Sequence, residues 1–213
     1  MADTKTVPTY ELEDAFRKEG FARICGIDEA GRGPLAGPVF AAAVVLKPGT
    51  EIPGLNDSKK LTEKKREALF DVILEVAEDC CVASATEREI DDLNILQATF
   101  LAMNRAFDGL REKPDLALVD GNRKPGVDAA EETVVKGDAR SMSIAAASIL
   151  AKVSRDRYML EVANLFPEYR FEKHKGYGTK LHYEMLQKYG VSEVHRKSFL
   201  KNLEEHFTDG KER

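Results

Sequence analysis

Three short apolar stretches of this 213-residue chain each run into acid. Residues 21–28 (FARICGID) deliver Asp28 and Glu29, residues 116–119 (LALV) deliver Asp120, and residues 133–136 (TVVK) lead through Gly137 to Asp138. Ligands of open α/β sheets sit outside the carboxyl ends of the strands, so three strands ending this way bring their carboxylates together. Carboxylates about 4–6 Å apart raise one another's pKa strongly, and hard divalent ions such as Mg²⁺ or Mn²⁺ relieve that repulsion. Softer metals find little here. The four histidines, at 174, 182, 195 and 206, all lie in the C-terminal region and make no H-E-x-x-H pattern. Neighbouring side chains on a regular strand point to opposite faces, so Asp28 and Glu29 share one site if the strand has ended and a loop begins at Glu29. Two blander readings stand beside this one: Asp28-Glu29 as part of a polar surface turn, and Asp138 as the N-cap of the following helix.

Directly after the first acid pair comes Gly31-Arg32-Gly33-Pro34-Leu35-Ala36. It matches the relaxed dinucleotide fingerprint G-x-G-x-x-G/A, but that fingerprint must open a helix, and here Pro34 and Pro38 lead into the strand-like VFAAAVVL. Two preceding acids would also repel a pyrophosphate. Glycines flanking Arg32 suit a backbone that approaches a sugar or phosphate closely, beside one guanidinium. Residues 170–201 hold eight Lys/Arg against three acids, a local charge of +5 in a chain whose net charge is −5. Such a basic end either grips a polyanion or is a solvated lysine-rich face. Lys59, Lys60, Lys152, Arg155, Lys173 and Lys175 are candidates for contacts to a nucleic-acid backbone.

These residues need a scaffold. Residues 21–28 and 39–47 read as strands, the second apolar at nearly every position, as in a strand covered on both faces. Residues 61–78 are a helix behind Thr62 as N-cap, 80–86 a strand, and 95–110 a helix with one apolar stripe. A long helix spans 142–165, closed by Pro167, and the rest is helical apart from a break at Gly176-Tyr177-Gly178. The fold class is α/β, with a small helical C-terminal part.

A composition of 43% apolar and 32% charged residues fits one ordinary globular domain and excludes collagenous and proline-rich classes. The longest apolar runs, 39–46 and 144–151, fall far short of the ~20 residues of a membrane helix, and residues 1–9 lack a signal-peptide core. Cys25, Cys80 and Cys81 form neither a disulfide framework nor a C-x-x-C pair. Expectation is therefore a cytoplasmic protein with reduced thiols and no membrane association.

Residues 26–39 (GIDEAGRGPLAGPV), 56–61 (NDSKKL), 119–122 (VDGN), 136–138 (KGD), 143–152 (SIAAASILAK) with Arg155-Asp156, and 174–179 (HKGYGT) together resemble bacterial ribonuclease HII, a type 2 ribonuclease H. The resemblance runs from about residue 21 to 201 with no departure at a motif position. It implies a ribonuclease H-like fold, a mixed sheet flanked by helices, spanning residues 21–165. A helical extension (1–20), which the resemblance leaves unassigned together with the tail after Leu200, would precede it, and a helical substrate-binding part (166–213) would follow. The implied activity is Mn²⁺- or Mg²⁺-dependent cleavage of the RNA strand of RNA–DNA hybrids, and of single ribonucleotides in duplex DNA, by a monomer. Products would carry 5′-phosphate and 3′-hydroxyl ends. The family's catalytic, metal-binding carboxylates fall on Asp28, Glu29, Asp120 and Asp138, with two ions about 4 Å apart clamping the scissile phosphate. Its glycine loop falls on Gly31, Arg32 and Gly33, which would read a 2′-hydroxyl, and its junction-sensing tyrosine on Tyr177. On local sequence alone Tyr177 reads first as a loop anchor, and only the resemblance lifts it above that. A non-catalytic nucleic-acid-binding domain is the alternative function, but a pure binder has no reason to turn four acids toward a polyanion.

Overall fold

A strand apolar on both faces must lie between two layers, and β2 (Val39–Val45) does. Its odd-numbered residues join Cys25, Ile27, Ala102, Met103 and Phe107 in one core, while Ala42 and Val44 join Ile73, Ala146 and Ile149 in the other. The structure, a computed structural model, describes residues 7–201 and residue 203. One five-stranded sheet runs in the order β3 (Asp79–Ala85), β2, β1 (Ile24–Ala30), β4 (Leu116–Asp120), β5 (Ala130–Val134). β1 is antiparallel to β2 and β2 to β3, whereas β1, β4 and β5 are mutually parallel. The three strands that carry acid toward their ends are therefore neighbours pointing the same way. Ile27 pairs with Val119 across β1 and β4, so the next residues, Asp28 and Asp120, end up side by side.

One face of the sheet is covered by α4 (Ile95–Asp108), preceded by the short α3 (Glu87–Leu93). On the other face lie α2 (Glu63–Val76) and α5 (Met142–Leu165). The first ten residues of α5 are all buried, which is why its apolar pattern has no polar side. α5 meets β1 at Gly26, where a Cβ would collide with the backbone of Ser143 and Ile144. A third cluster, built from Leu35, Ala36, Met159, Phe171 and Leu186, fastens α6 (Phe171–His174) and α7 (Lys180–Tyr189) to the far end of α5.

β1 runs two residues past its predicted end, because the antiparallel ladder to β2 continues through Glu29↔Ala41 and Ala30↔Phe40. β5 starts and stops earlier than the run TVVK suggests. It is an edge strand whose exposed Ala130 and Glu132 carry no apolar signal, and it pairs with β4 all the same. α3 went unread in the sequence although its N-terminal box is there: Thr86 and Glu89 bond each other's backbone N–H. Among the described residues beyond Leu165 only α6 and α7 are α-helical, with 3-10 turns before α6 at Pro167–Tyr169 and after α7 at Lys197–Phe199.

Residues 1–6, 202 and 204–213, parts of the expected N- and C-terminal segments, lie outside the described residues. Within the described residues, α1 (Glu11–Lys18) seals the start of α5. Fully buried Glu13 accepts hydrogen bonds through Oε1 from the Ser141 hydroxyl (2.7 Å) and the Ser143 N–H (3.0 Å). Among the described residues no helix is long and apolar enough to cross a membrane.

Gly26→Ala should destabilise the protein by about 1–3 kcal/mol, since the methyl group meets helix backbone rather than a movable side chain. Thermal unfolding should register about 2–4 °C for each kcal/mol; an unchanged melting temperature would refute the tight β1–α5 contact.

Candidate active site

At the carboxyl ends of β1 and β4 a cavity of about 240 Å³ is lined by Asp28, Glu29, Gly31, Arg32, Asp120 and Tyr177, with Ser58, Lys59, Ser148 and Lys152 among its other walls. Six of the eight residues singled out in the sequence thus meet in one place. The route differs from expectation for Glu29. It remains on the strand, and alternation turns Asp28 toward α5 and Glu29 toward α4. Both still reach the cavity because it sits at the end of the sheet rather than on a face. Asp28 is 5% exposed and near Ser148, whose hydroxyl shares a hydrogen bond with Ser58 (3.0 Å); its Oδ1 accepts from the Glu29 N–H (2.7 Å). Glu29 faces Arg32 Nη1 at 3.4 Å and opens into a smaller hollow of about 80 Å³ beside Thr99, Phe100 and Arg123.

Asp120 is held by Gly137, whose N–H donates to Oδ1 at 2.7 Å. A side chain at 137 would crowd both that oxygen and Ile144. Asp138 follows in the 3-10 turn Gly137–Ala139, buried and outside the cavity lining, 3.8 Å from Lys59 Nζ. It does not cap α5: Ser141 does, its hydroxyl accepting from the Ile144 N–H at 3.1 Å. Gly33 also lies outside the lining, next to the Tyr177 ring. That ring is 42% exposed and faces the cavity, with Lys152 Nζ and the Arg155 guanidinium each 5.9 Å from its centre.

Burial pushes the Asp28 carboxyl well above the usual carboxylate range, and the charges of Glu29 and Asp120 add to it. Glu29 is raised by burial too, against the pull of Arg32. Asp138 is raised by burial and then by Asp57 and Asp120, with Lys59 opposing. For Lys59 burial acts to lower the pKa, but the surrounding carboxylates outweigh it and the net shift is upward. Among the described residues no three acidic, imidazole or thiol groups stand close enough to form a ready-made ion cage. Like charges have instead spread toward Arg32 and Lys59.

Two arginines from the candidate backbone contacts and the basic stretch serve the protein itself. Arg155, a candidate backbone contact, is fully buried and donates to the carbonyls of Pro38 (3.1 Å), Lys175 (3.1 Å) and Ala36 (3.0 Å). Arg196, counted in the basic stretch, is also buried and donates to Gly37 (2.8 Å), Arg32 (3.0 Å) and Gly31 (2.6 Å). Between them they grip the glycine loop from behind. Their partners lie 117–165 residues away in sequence, apart from Lys175, so no local signal could have revealed the role. Lys175 Nζ turns to the Glu172 carbonyl (2.8 Å), and Lys60 stands 3.9 Å from Asp57.

A mixed five-stranded sheet, helices on both faces and carboxylates gathered at the ends of adjacent parallel strands define a ribonuclease H-like nuclease. The ribonuclease H2 of Pyrococcus horikoshii OT3 has this fold: its structure aligns with a TM-score of 0.72 at 29% identity, over 88% of this chain and 99% of that one. Bst-RNase HIII, solved in complex with Mn²⁺, aligns with a TM-score of 0.70 at 19% identity, over 93% of this chain and 73% of its own, and supports the fold alone. In sequence, a ribonuclease HII of Caldicellulosiruptor bescii is 56% identical over 194 residues, 91% of this chain and 94% of that protein. Residues 25–202 match the family Ribonuclease HII, and the chain belongs to this family of ribonuclease H enzymes.

Because Asp28 is raised in the folded state, its ionisation opposes folding. The folded protein holds that proton longer than the unfolded chain. Stability should therefore fall as pH rises from the ordinary Asp range through the raised value. In chelator-treated protein at pH 8, Asp28→Asn should melt higher than the parent, by about 2–4 °C per kcal/mol relieved. The gap should close near pH 4, and a variant that melts lower at pH 8 contradicts the repulsion described here.

Proposed function

We propose that this ribonuclease H is a divalent-metal-dependent endonuclease that cuts the RNA strand of RNA–DNA hybrids and single ribonucleotides embedded in duplex DNA, leaving 5′-phosphate and 3′-hydroxyl ends. One observation carries the reading: Asp28, Glu29 and Asp120 share a cavity with Gly31, Arg32 and Tyr177. The donor set fits a hard cation, being all carboxylate and largely buried, with Asp28, Glu29 and Asp138 raised in pKa first by burial and then by neighbouring carboxylates whose repulsion a positive ion would relieve. Asp28, Glu29, Asp120 and Asp138 would hold Mg²⁺ or Mn²⁺. When bound, the metal supplies Lewis-acid activation of the phosphate and of water.

The chain's own residues do the rest. Asp28 and Asp120 bear the charge and are held in place, one by the Glu29 N–H, the other by the Gly137 N–H. Arg32, Lys59 and Lys152 surround the cavity with cations that meet the phosphates on either side of the cut. Gly31–Gly33, gripped from behind by Arg196, bring bare backbone within reach of a 2′-hydroxyl, the group that separates RNA from DNA. The Tyr177 ring, beside Gly33, stacks on the sugar or base next to the junction. Exposed Lys173 and Lys180, in the basic C-terminal part, add phosphate contacts. Cytoplasm remains the proposed location, on three free thiols.

Asp28→Asn and Asp120→Asn should each lower the turnover of a hybrid by well over ~10²-fold while leaving its binding largely intact, as expected where electrostatic stabilisation dominates phosphoryl chemistry. Chelation should abolish parent activity and added Mg²⁺ or Mn²⁺ restore it. Near-parent rates in either variant remove these carboxylates from the chemistry.

Tyr177→Ala should lose about 1–3 kcal/mol of stacking, and Tyr177→Phe much less. A duplex with one ribonucleotide offers a single junction, so the alanine variant should suffer more on it than on a long hybrid. Equal loss on both substrates with a drop of several degrees in melting temperature makes the ring structural.

A further inference from the structure

Behind the Tyr177 loop lie three buried imidazoles that the chemistry above does not use, on His174, His182 and His195. His174 and His182 stack with centroids 4.4 Å apart, and Phe171 packs against all three rings. Their hydrogen bonds determine every proton position. His195 Nδ1 receives the Ser192 backbone N–H at 3.1 Å, with the Ser192 hydroxyl at 2.7 Å. A backbone N–H can only donate, so His195 carries its proton on Nε2. That nitrogen faces His182 Nε2 at 3.0 Å, which must accept. The His182 proton then sits on Nδ1, 3.0 Å from the Tyr177 carbonyl, which can only accept. Both ends of the chain are backbone groups with no choice of direction, so the whole chain runs one way, from Ser192 through His195 and His182 to Tyr177. His174 is settled likewise: Nδ1 accepts from the Gly176 N–H (3.2 Å) and Nε2 donates to the Tyr169 carbonyl (3.0 Å).

We propose that Ser192, His195 and His182 form a one-way hydrogen-bond relay that sets the backbone of Tyr177, making the two histidines positioning residues for the recognition of an RNA–DNA junction. The proposal rests on the reading of Tyr177 given above.

The loop needs such support. Lys175 and Gly176 both adopt left-handed backbone, with φ of 49° and 85°, and a lysine there is strained. The loop is tied to the glycine loop as well, since the Leu35 N–H donates to the Gly176 carbonyl (2.8 Å) and Arg155 holds the Lys175 carbonyl. A side chain at 176 would collide with the Ala36 carbonyl. Within this frame the Tyr177 carbonyl accepts twice, from the Thr179 N–H (2.8 Å) and from His182. Losing the imidazole frees the peptide plane that aims the ring. Relay geometry also requires neutral rings, because a second proton on His182 would set two N–H groups face to face across the His195 contact. Burial supplies that condition, holding both pKa values down at about 4.

Two measurements test the proposal in the whole chain. In ¹⁵N-histidine-labelled protein carrying His206→Asn, long-range ¹H–¹⁵N spectra at pH 7 should show His182 as the Nδ1–H tautomer, with His174 and His195 as Nε2–H. His182 found as Nε2–H reverses the chain and overturns the relay, whatever Tyr177 does. The second measurement separates the two halves of the His182 ring. In His182→Asn the amide stands where Nδ1 was and still donates to the Tyr177 carbonyl. In His182→Gln it stands where Nε2 was, meeting His195 but not Tyr177. The glutamine variant should lose about tenfold in kcat/KM on duplex with one ribonucleotide, the worth of one hydrogen bond. It should lose little on long hybrid, and the asparagine variant should stay within about threefold of the parent on both. Equal losses in the two variants, on both substrates and in step with their melting temperatures, make His182 structural and overturn the proposal. Should Tyr177→Ala prove unselective while the tautomers stand as assigned, the reading of Tyr177 fails and the relay itself is upheld.

Discussion

Burying several negative charges at one end of a sheet is unfavourable, and much of this protein's architecture follows from the need to do it. The parallel arrangement of β1, β4 and β5 leaves no alternative once each carries acid toward its end. Asp28 and Asp120 must be neighbours, and low-dielectric surroundings magnify their repulsion. Everything nearby either holds a carboxylate in place or opposes its charge. Gly137 donates to Asp120, Ser148 and Ser58 flank Asp28, and Lys59 and Arg32 sit beside Asp138 and Glu29. A site with this much unrelieved charge is poised for a cation and for the phosphate such a cation attracts.

Holding the acids is half of the problem; the loops that face them must be rigid without losing exposure. Gly31–Gly33 and 174–178 have few side chains with which to anchor themselves. The fold solves this from behind, through groups that never reach the cavity. Arg155 and Arg196 use six N–H donors on six backbone carbonyls, and two imidazoles extend the same support to Tyr177. A guanidinium buried against carbonyls alone keeps its charge poorly solvated, and the Arg196 pKa falls to about 9. That cost is tolerated where a loop must hold a single shape before substrate arrives, as preorganised recognition requires.

In the proposed reading, catalysis and discrimination therefore rest on different supports. The carboxylates hang on β1, β4 and the turn that leads into α5, a region braced by Glu13 at the start of that helix. The glycine loop and Tyr177 hang on the far half of α5 and on α6 and α7, through Arg155 and the third apolar cluster. α5 is the shared beam: Ser148 and Lys152 reach the cavity from its middle, while Arg155 reaches the loops one residue over from Asp156, which pairs with Lys152 at 2.6 Å.

The sequence alone marked Asp28, Glu29 and Asp120, which meet in one cavity, and most of the scaffold. Apolar runs ending in Asp or Asp-Glu marked β1 and β4 and their carboxylates, because burial on both faces leaves a strand no other composition. Residues 142–165 announced the central helix, since its first ten residues, buried all round, are nearly all apolar and Pro167 lies just beyond its end. What the sequence left open were the contacts between residues far apart. Whether Glu29 belonged to strand or loop depended on a ladder to β2, not on its neighbours. β5, an edge strand with exposed polar positions, had almost no apolar alternation to read. Charge type could not sort Lys59 and Lys152, which line the cavity, from Arg155 and Arg196, which are buried under the loops. All four are cations in basic or motif-rich segments, and only packing decides which meet solvent. The histidine tautomers were the least legible of all, for a proton on an imidazole is placed by partners that tertiary structure alone brings within 3 Å.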